Sequence, residues 1–387
     1  MAAGPNDTGP GSLQGRAPCA ALCYEHLVAD FSSWYTPVHR TAVARSVELG
    51  SLADIREKPA SSLNNLVTRE DDVSDDVKAS VEALSALMGS PLSTLVLVDV
   101  TMADEGRGLA ELTRMGGFYG VAVVAATAPQ RGVPDSQAEG TLMHDLHYGA
   151  DGARAGIIGT IRMVSDGEAP HVDSVRDIAI ASRAQAAVGG VPIVIHAAGC
   201  SASCIQKAFA GLERAASRTA IFDPRTRSDA ELLLEAGFWI GFTTPQSCIV
   251  DPGQWVSVPA QTSIPGLAAL LCELLSGKHG DRVLLSTGAH FKSHHRRYGG
   301  LGLRGAGFVA REVGVDGAKK LLADNALRFL TFPWIPPAVP EPAAERTWKC
   351  DWCDKRFPVS QESFKKLGYE YCTMPCLSSH RKADFKK

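Results

Sequence analysis

Pro192-Ile193-Val194-Ile195-His196 is a short unbroken apolar run that closes on a histidine. A strand with one wet face alternates apolar and polar residues, so an unbroken run belongs to a strand covered on both faces, as in a parallel sheet flanked by helices. Seven similar runs lie around it: Ala20 to Tyr24, Leu95 to Val98, Val121 to Ala126, Gly156 to Ile161, Thr219 to Phe222, Phe238 to Phe242 and Val283 to Leu285. Helical patterns fall between them, at Val77 to Met88, Ser174 to Ala187, Ile205 to Ala216, Ala230 to Ala236 and Leu267 to Leu275. Eight such units in series predict an α/β fold, a closed (β/α)8 TIM-type barrel in preference to an open doubly wound sheet. The stretch from Ala128 to Tyr148, with Pro129, Gly132, Pro134 and Gly140, reads as a loop over the mouth that carries His144 and His147 as surface residues.

Two segments frame the barrel. Residues 1–17 have the Gly/Pro-rich polar composition of a disordered tail, and residues 333–345 hold five prolines in thirteen positions, as a semi-rigid linker would. The expected organisation is therefore tail 1–17, barrel 18–332, linker 333–345 and a small module 346–387. Of the 387 residues 45% are hydrophobic and 21% charged, with a net charge of -3, which excludes a global preference for nucleic acid or anionic membrane. Ten scattered cysteines and no apolar leader point to a reducing cytoplasm, and no apolar stretch is long enough to span a membrane.

In the module, Cys350-Asp-Trp-Cys353 sets two thiolates on a knuckle, and Cys372 with Cys376 sets two more one helical turn apart. Four soft ligands suit tetrahedral zinc, and so small a module needs the metal to fold. His380, one turn beyond Cys376, is a further candidate ligand or a solvated helix residue. The pattern resembles treble-clef fingers of the Phe/Tyr-Cys-Ser type, with Thr373 in place of the serine. From Arg346 onward ten Lys/Arg stand against five Asp/Glu. This local basicity leaves nucleic-acid binding as a weak alternative to a protein partner, and attachment to a large assembly such as a cytoskeletal structure would suit it.

Tyr24-Glu-His26-Leu, Ala155-Gly-Ile-Ile, Pro192 to His196, Pro224-Arg225-Thr226, Phe291-Lys292 with Arg297-Tyr-Gly-Gly300, and Asn325 to Phe332 resemble, in order, the phosphotriesterase-related family of the amidohydrolase superfamily. The resemblance implies a two-metal centre at the carboxyl ends of the strands, activating a hydroxide. It also implies six ligand positions. Strand 1 should offer His-x-His and here offers Tyr24 and His26; strand 4 should offer a bridging lysine or glutamate and offers Gly159 and Thr160. Strand 5 keeps His196, strand 6 has Phe222 for a histidine, and strand 8 has Thr287-Gly288 where the metal-binding aspartate would stand.

Two of six ligands survive, so the expectation is a pseudoenzyme reused as a scaffold, with structural zinc in the finger and a doubtful barrel metal. The rival is a metal-dependent hydrolase with a rebuilt mononuclear site drawn from His26, His196, Cys200 and Asp223, near Cys23, Cys204 and His290. Arg225, Lys292 and the Arg297 to Gly300 loop fit either barrel architecture or an anion pocket. His294-His295-Arg296-Arg297 reads as a solvated basic loop.

Overall fold

The computed structural model describes residues 20–36, 46–48, 50–149, 153–197, 199–245 and 263–336, then 347–350, 352–353, 355–358, 364–366 and 369–384. The expected tail 1–17 lies outside them. The chain divides into two compact units, residues 1–335 and 336–387.

The eight apolar runs are eight strands: β1 (Ala20–Glu25), β2 (Leu95–Asp99), β3 (Ala122–Thr127), β4 (Ile157–Arg162), β5 (Ile193–His196), β6 (Thr219–Phe222), β7 (Trp239–Phe242) and β8 (Val283–Leu285). They pair in parallel in that order as one sheet, a nearly closed (β/α)8 barrel. Along each strand the residues alternate between two apolar clusters. Leu22, Leu97, Ile193 and Ile195 pack outward under the helices, whereas Ala21, Val96, Val194 and Phe222 fill the barrel. Ala326, Phe329 and Leu330 join the inner cluster, and the Phe329 and Trp239 rings lie 5.3 Å apart.

Beside the β1–β8 seam a buried carboxylate gathers donors. Glu25 accepts from Ser286 Oγ at 2.8 Å, Thr287 N at 2.7 Å, Ala289 N at 3.3 Å and the Thr287 hydroxyl. Backbone bonds from Gly288 N to Tyr24 O and from His26 N to Ala289 O run alongside. At the neighbouring strand, Asp99 accepts from Leu27 N at 2.6 Å and Thr101 N at 3.0 Å. These side chains do in short strands what longer ladders do elsewhere.

Three expectations need correction. Ala128 to Tyr148 is not all loop, because Asp135–His147 is a helix. Ala138, Leu142 and Leu146 recur at a helical spacing and bury one face, which outweighs Gly140. The Pro-rich linker begins later than residue 333: Trp334 packs against the outer core and Ile335 N bonds to Val188 O, while residues 337–345 lie outside the described residues. The run from His294 is solvated only in its second half: Arg296 and Arg297 are exposed, whereas His294 and His295 are buried and His295 Nδ1 lies 3.0 Å from Asp76 Oδ2.

Burial pushes Glu25 up from 4.5 to about 7, against its hydrogen bonds, and Asp99 up to about 6. A raised carboxyl favours the protonated folded state. The contribution of Glu25 is therefore full below about pH 4.5 and is lost as pH rises through about 7, by roughly 3 kcal/mol at most. Urea denaturation at about pH 5 and about pH 8 should show lower stability at the higher pH. Glu25→Gln should flatten much of that slope, leaving the smaller share of Asp99.

Candidate functional site

The carboxyl ends of the strands bring together most of the expected ligand positions and pack them tightly. The β1–β2 register slips between Leu22 and Glu25, so that Cys23 and Tyr24 both join the inner cluster. The Tyr24 ring stacks on Phe222 at 4.6 Å and lies 5.9 Å from the ring of His196 and 5.6 Å from that of His26. One aromatic ring thus packs beside both surviving histidines. His26 is buried, with Nδ1 3.2 Å from the Thr101 hydroxyl. Burial, then the Arg162 charge, hold its imidazole well below its usual range.

At the other positions backbone and rings close the space. A Cβ on Gly159 would sit 2.5 Å from Val194 O, and one on Gly241 would sit 2.4 Å from the Phe222 ring. The Gly159 position cannot take a lysine without moving β5, and Phe222 lies flat over the bare glycine opposite it. Gly288, at φ 61°, carries a left-handed turn after β8. His290, just beyond, donates from Nδ1 to Gly288 O at 2.5 Å. These residues do not fit a bridged pair of cations, because the bridge, one histidine from each subsite and the aspartate are replaced by groups that offer no suitable donor.

The rebuilt mononuclear site is likewise not assembled. His196 Nε2 lies 3.7 Å from Asp223 Oδ2, and Asp223, at φ 56°, accepts from Thr243 N and Oγ1 at 2.9 and 2.8 Å. Cys200 sits elsewhere, in the outer cluster with Cys204. Its thiol lies 3.7 Å from Met163 O, and burial pushes it up to about 11. Among the described residues, the one group of three or more His, Cys, Asp or Glu donors close enough to share an ion is the four-cysteine cluster.

Several resemblance-bearing residues outside the mouth have partners within the barrel. Lys292 pairs with Asp72 at 3.2 Å, and the Tyr298 hydroxyl donates to the same carboxylate. The Thr226 hydroxyl caps the helix Arg227–Glu235, Arg225 pairs loosely with Asp229 at 3.8 Å, and Asn325 donates to Gly280 O and Val283 O.

Sequence reading missed Arg162, Glu105 and Trp34. Arg162 bonds to the buried Glu105, and its guanidinium lies 4.3 Å from the Trp34 ring centre. Beside it a cavity of about 260 Å³ opens between β2, β3 and β4, lined by Arg107, Arg131 and Arg162 together with Asp104, Asp145 and Asp177. Acid and base balance there, so the cavity has no net pull on an anion. The signals that could have found Arg162 were an arginine ending an otherwise apolar strand and a tryptophan just after β1.

In the second unit, strands β9 (Thr347–Lys349) and β10 (Arg356–Pro358) form a hairpin around the first cysteine pair, and β11 (Phe364–Lys366) and β12 (Tyr369–Tyr371) form another. The helix Met374–Asp384 follows. The sulfurs of Cys350, Cys353, Cys372 and Cys376 all lie within 4.8 Å of one another, two pairs at 3.6 and 3.5 Å. Tetrahedral zinc with bonds of about 2.3 Å needs sulfurs about 3.8 Å apart, so the donor set fits. Burial works against ionisation of Cys350 but is outweighed by backbone N–H groups of Cys353, Cys372 and Trp352, which hold its thiol down to about 6. Thr373 Oγ1 accepts from Cys376 N at 3.4 Å, the capping role that a serine would have. His380 is not in the cluster: its Nδ1 meets the Tyr371 hydroxyl at 2.9 Å and its ring stacks on Trp352 at 5.2 Å.

Fold and sites together define a (β/α)8 barrel with a filled mouth, followed by a four-cysteine zinc module. The chain belongs to the phosphotriesterase family, whose model matches residues 7–305, and residues 345–387 match the Vms1-associating treble clef domain. Similar solved structures include a resiniferatoxin-binding protein from Rhodobacter sphaeroides, 22% identical with TM-score 0.67, covering 81% of this chain and 91% of that one. A phosphotriesterase homology protein from Escherichia coli, solved with phosphate in its active site, is 16% identical with TM-score 0.61, covering 82% and 100%. A lactonase from Listeria monocytogenes is 15% identical with TM-score 0.58, covering 85% and 96%. At these identities the likeness is one of fold. Curated protein sequences give no match. No helix among the described residues is long and apolar enough to cross a membrane.

Two outcomes follow from the packing. Gly241→Ala should destabilise the barrel by about 1–3 kcal/mol by driving a methyl into the Phe222 ring, and Phe222→Leu in the same chain should recover part of it; urea denaturation of the wild type and the two variants measures both. Excess chelator should unfold the zinc module while sparing the barrel, seen as fast proteolysis confined to the last fifty or so residues.

Proposed function

We propose that this phosphotriesterase-family barrel has given up metal-dependent hydrolysis and serves as a rigid scaffold, with the zinc module as its element for protein association. The observation that carries the reading is the Tyr24–Phe222 stack packed beside both His26 and His196. Metal-assisted hydrolysis needs an open coordination position and a base beside the bound water. Here aromatic rings pack beside both histidines, and strand 8 supplies no aspartate. Retained family residues such as Lys292, Thr226 and Asn325 are committed to internal partners, which is what selection for shape would leave behind.

On the zinc module the exposed Trp352 and Met374 offer apolar contact beside a locally basic sequence, and this supports a protein partner. Cytoplasmic residence accords with the reduced cysteines that the zinc cluster needs.

Elemental analysis of the purified chain tests the proposal. One tightly held zinc per chain is expected, lost when Cys350 and Cys353 are both replaced by serine and unchanged by His196→Ala. A second equivalent that disappears with His196→Ala would instead establish a working barrel metal and reject the scaffold reading.

A further inference from the structure

We propose that a fixed ion pair braces the barrel mouth, the Arg162 guanidinium clamped between Glu105 and Trp34, at the strand ends where the family's metal ligands are missing. The inference rests on the reading of the mouth as a site without the family's metals.

Register puts the arginine there. Between β4 and β5, Ile158 pairs with Ile193 but Ile161 pairs with Ile195, so Gly159 and Thr160 form a bulge with one extra residue. A bulge reverses the in–out alternation beyond it. Ile157 faces into the barrel and Ile158 outward; beyond the bulge Ile161 is again outward, and Arg162 stands beside its register partner His196 at the mouth. Without the extra residue, Ile161 would point inward and Arg162 toward the helices. The bulge occupies the two positions from which the family would bridge its cations.

The arginine is then fixed from two sides. Glu105 is 3% exposed; one of its oxygens takes Met102 N at 3.0 Å and the other takes Arg162 Nη2. The guanidinium carbon lies over the ring of Trp34, which packs on Phe31 at 4.5 Å. Phe31 in turn meets the His26 ring at 5.5 Å. The pair thus stands at the strand ends, with His196 as the register partner of Arg162 and its charge felt at Tyr24 and His26. A buried cation of this kind persists only with a paired anion, which Glu105 provides.

Thermal unfolding of the full chain, followed by near-ultraviolet circular dichroism, tests this with Arg162→Met, Arg162→Lys, Glu105→Gln and the double variant Arg162→Met/Glu105→Met. Arg162→Met should lower the barrel midpoint by several degrees, because it strands Glu105 without its partner. Arg162→Lys should restore at least half of that loss, since it returns the charge, and the double variant should unfold above Arg162→Met. A lysine variant no better than methionine, or a double variant no better than Arg162→Met, overturns the proposal. Should Arg162→Met fail to fold, Glu105→Gln decides: a midpoint lowered by several degrees supports the pair, and one within about a degree of wild type rejects it. Zinc content of the same wild-type sample separates the two readings. A second, His196-dependent metal rejects the scaffold reading, whereas a single zinc with failed charge rescue rejects only the role of Arg162.

Discussion

The seam between the first and last strands depends on one buried carboxylate. β8 is only three residues long, and a barrel must join its ends or leave an edge of unpaired backbone. Glu25 draws two hydroxyls and two backbone N–H groups from Ser286 to Ala289 onto a single side chain. The position is also chemically exposed to loss, because a carboxyl with no cation beside it must be accommodated by hydrogen bonds alone. Its neighbours Tyr24 and His26 inherit their placement from that fastening, and so the filling of the mouth begins with the closing of the barrel.

The zinc module obeys a different economy. Its described core consists of Cys350, Tyr371, Cys372 and Leu377, with Cys353 and Cys376 packed against them, too little apolar area to hold a fold together without a cross-link. Four thiolates around one ion supply it. The stacked pair of Trp352 and His380 and the Tyr371 hydroxyl brace the knuckle from outside the coordination sphere, which explains why a histidine one turn past Cys376 need not be a ligand.

Much of this was legible in the chain itself. Runs such as Pro192 to Ile195 announce strands buried on both faces, and eight of them in series leave few alternatives to a barrel. The cysteine spacing announced the metal in the same local way. What escaped was whatever depends on register or on distant pairing. Arg162 looks like the polar end of a strand until a one-residue bulge turns it inward, and Glu105 and Trp34 acquire meaning only once β2, β4 and the turn after β1 are side by side. The helix Asp135–His147 was hidden by two glycines and two prolines whose local preference yielded to three buried apolar side chains. His295 looked solvated because its partner, Asp76, lies 219 positions away in the chain.

Gly159 and Gly241 bear on whether hydrolysis could be regained. A lysine at Gly159 would collide with the carbonyl of Val194, and a histidine at position 222 would exchange a ring fitted to Gly241 for a smaller polar one with no ion to bind. Each ligand restored alone therefore costs stability while returning no coordination, because a bridged centre works only when nearly complete. On the scaffold reading the filled mouth behaves as a ratchet: the steps that packed it were individually tolerable, and the same steps reversed are individually unfavourable.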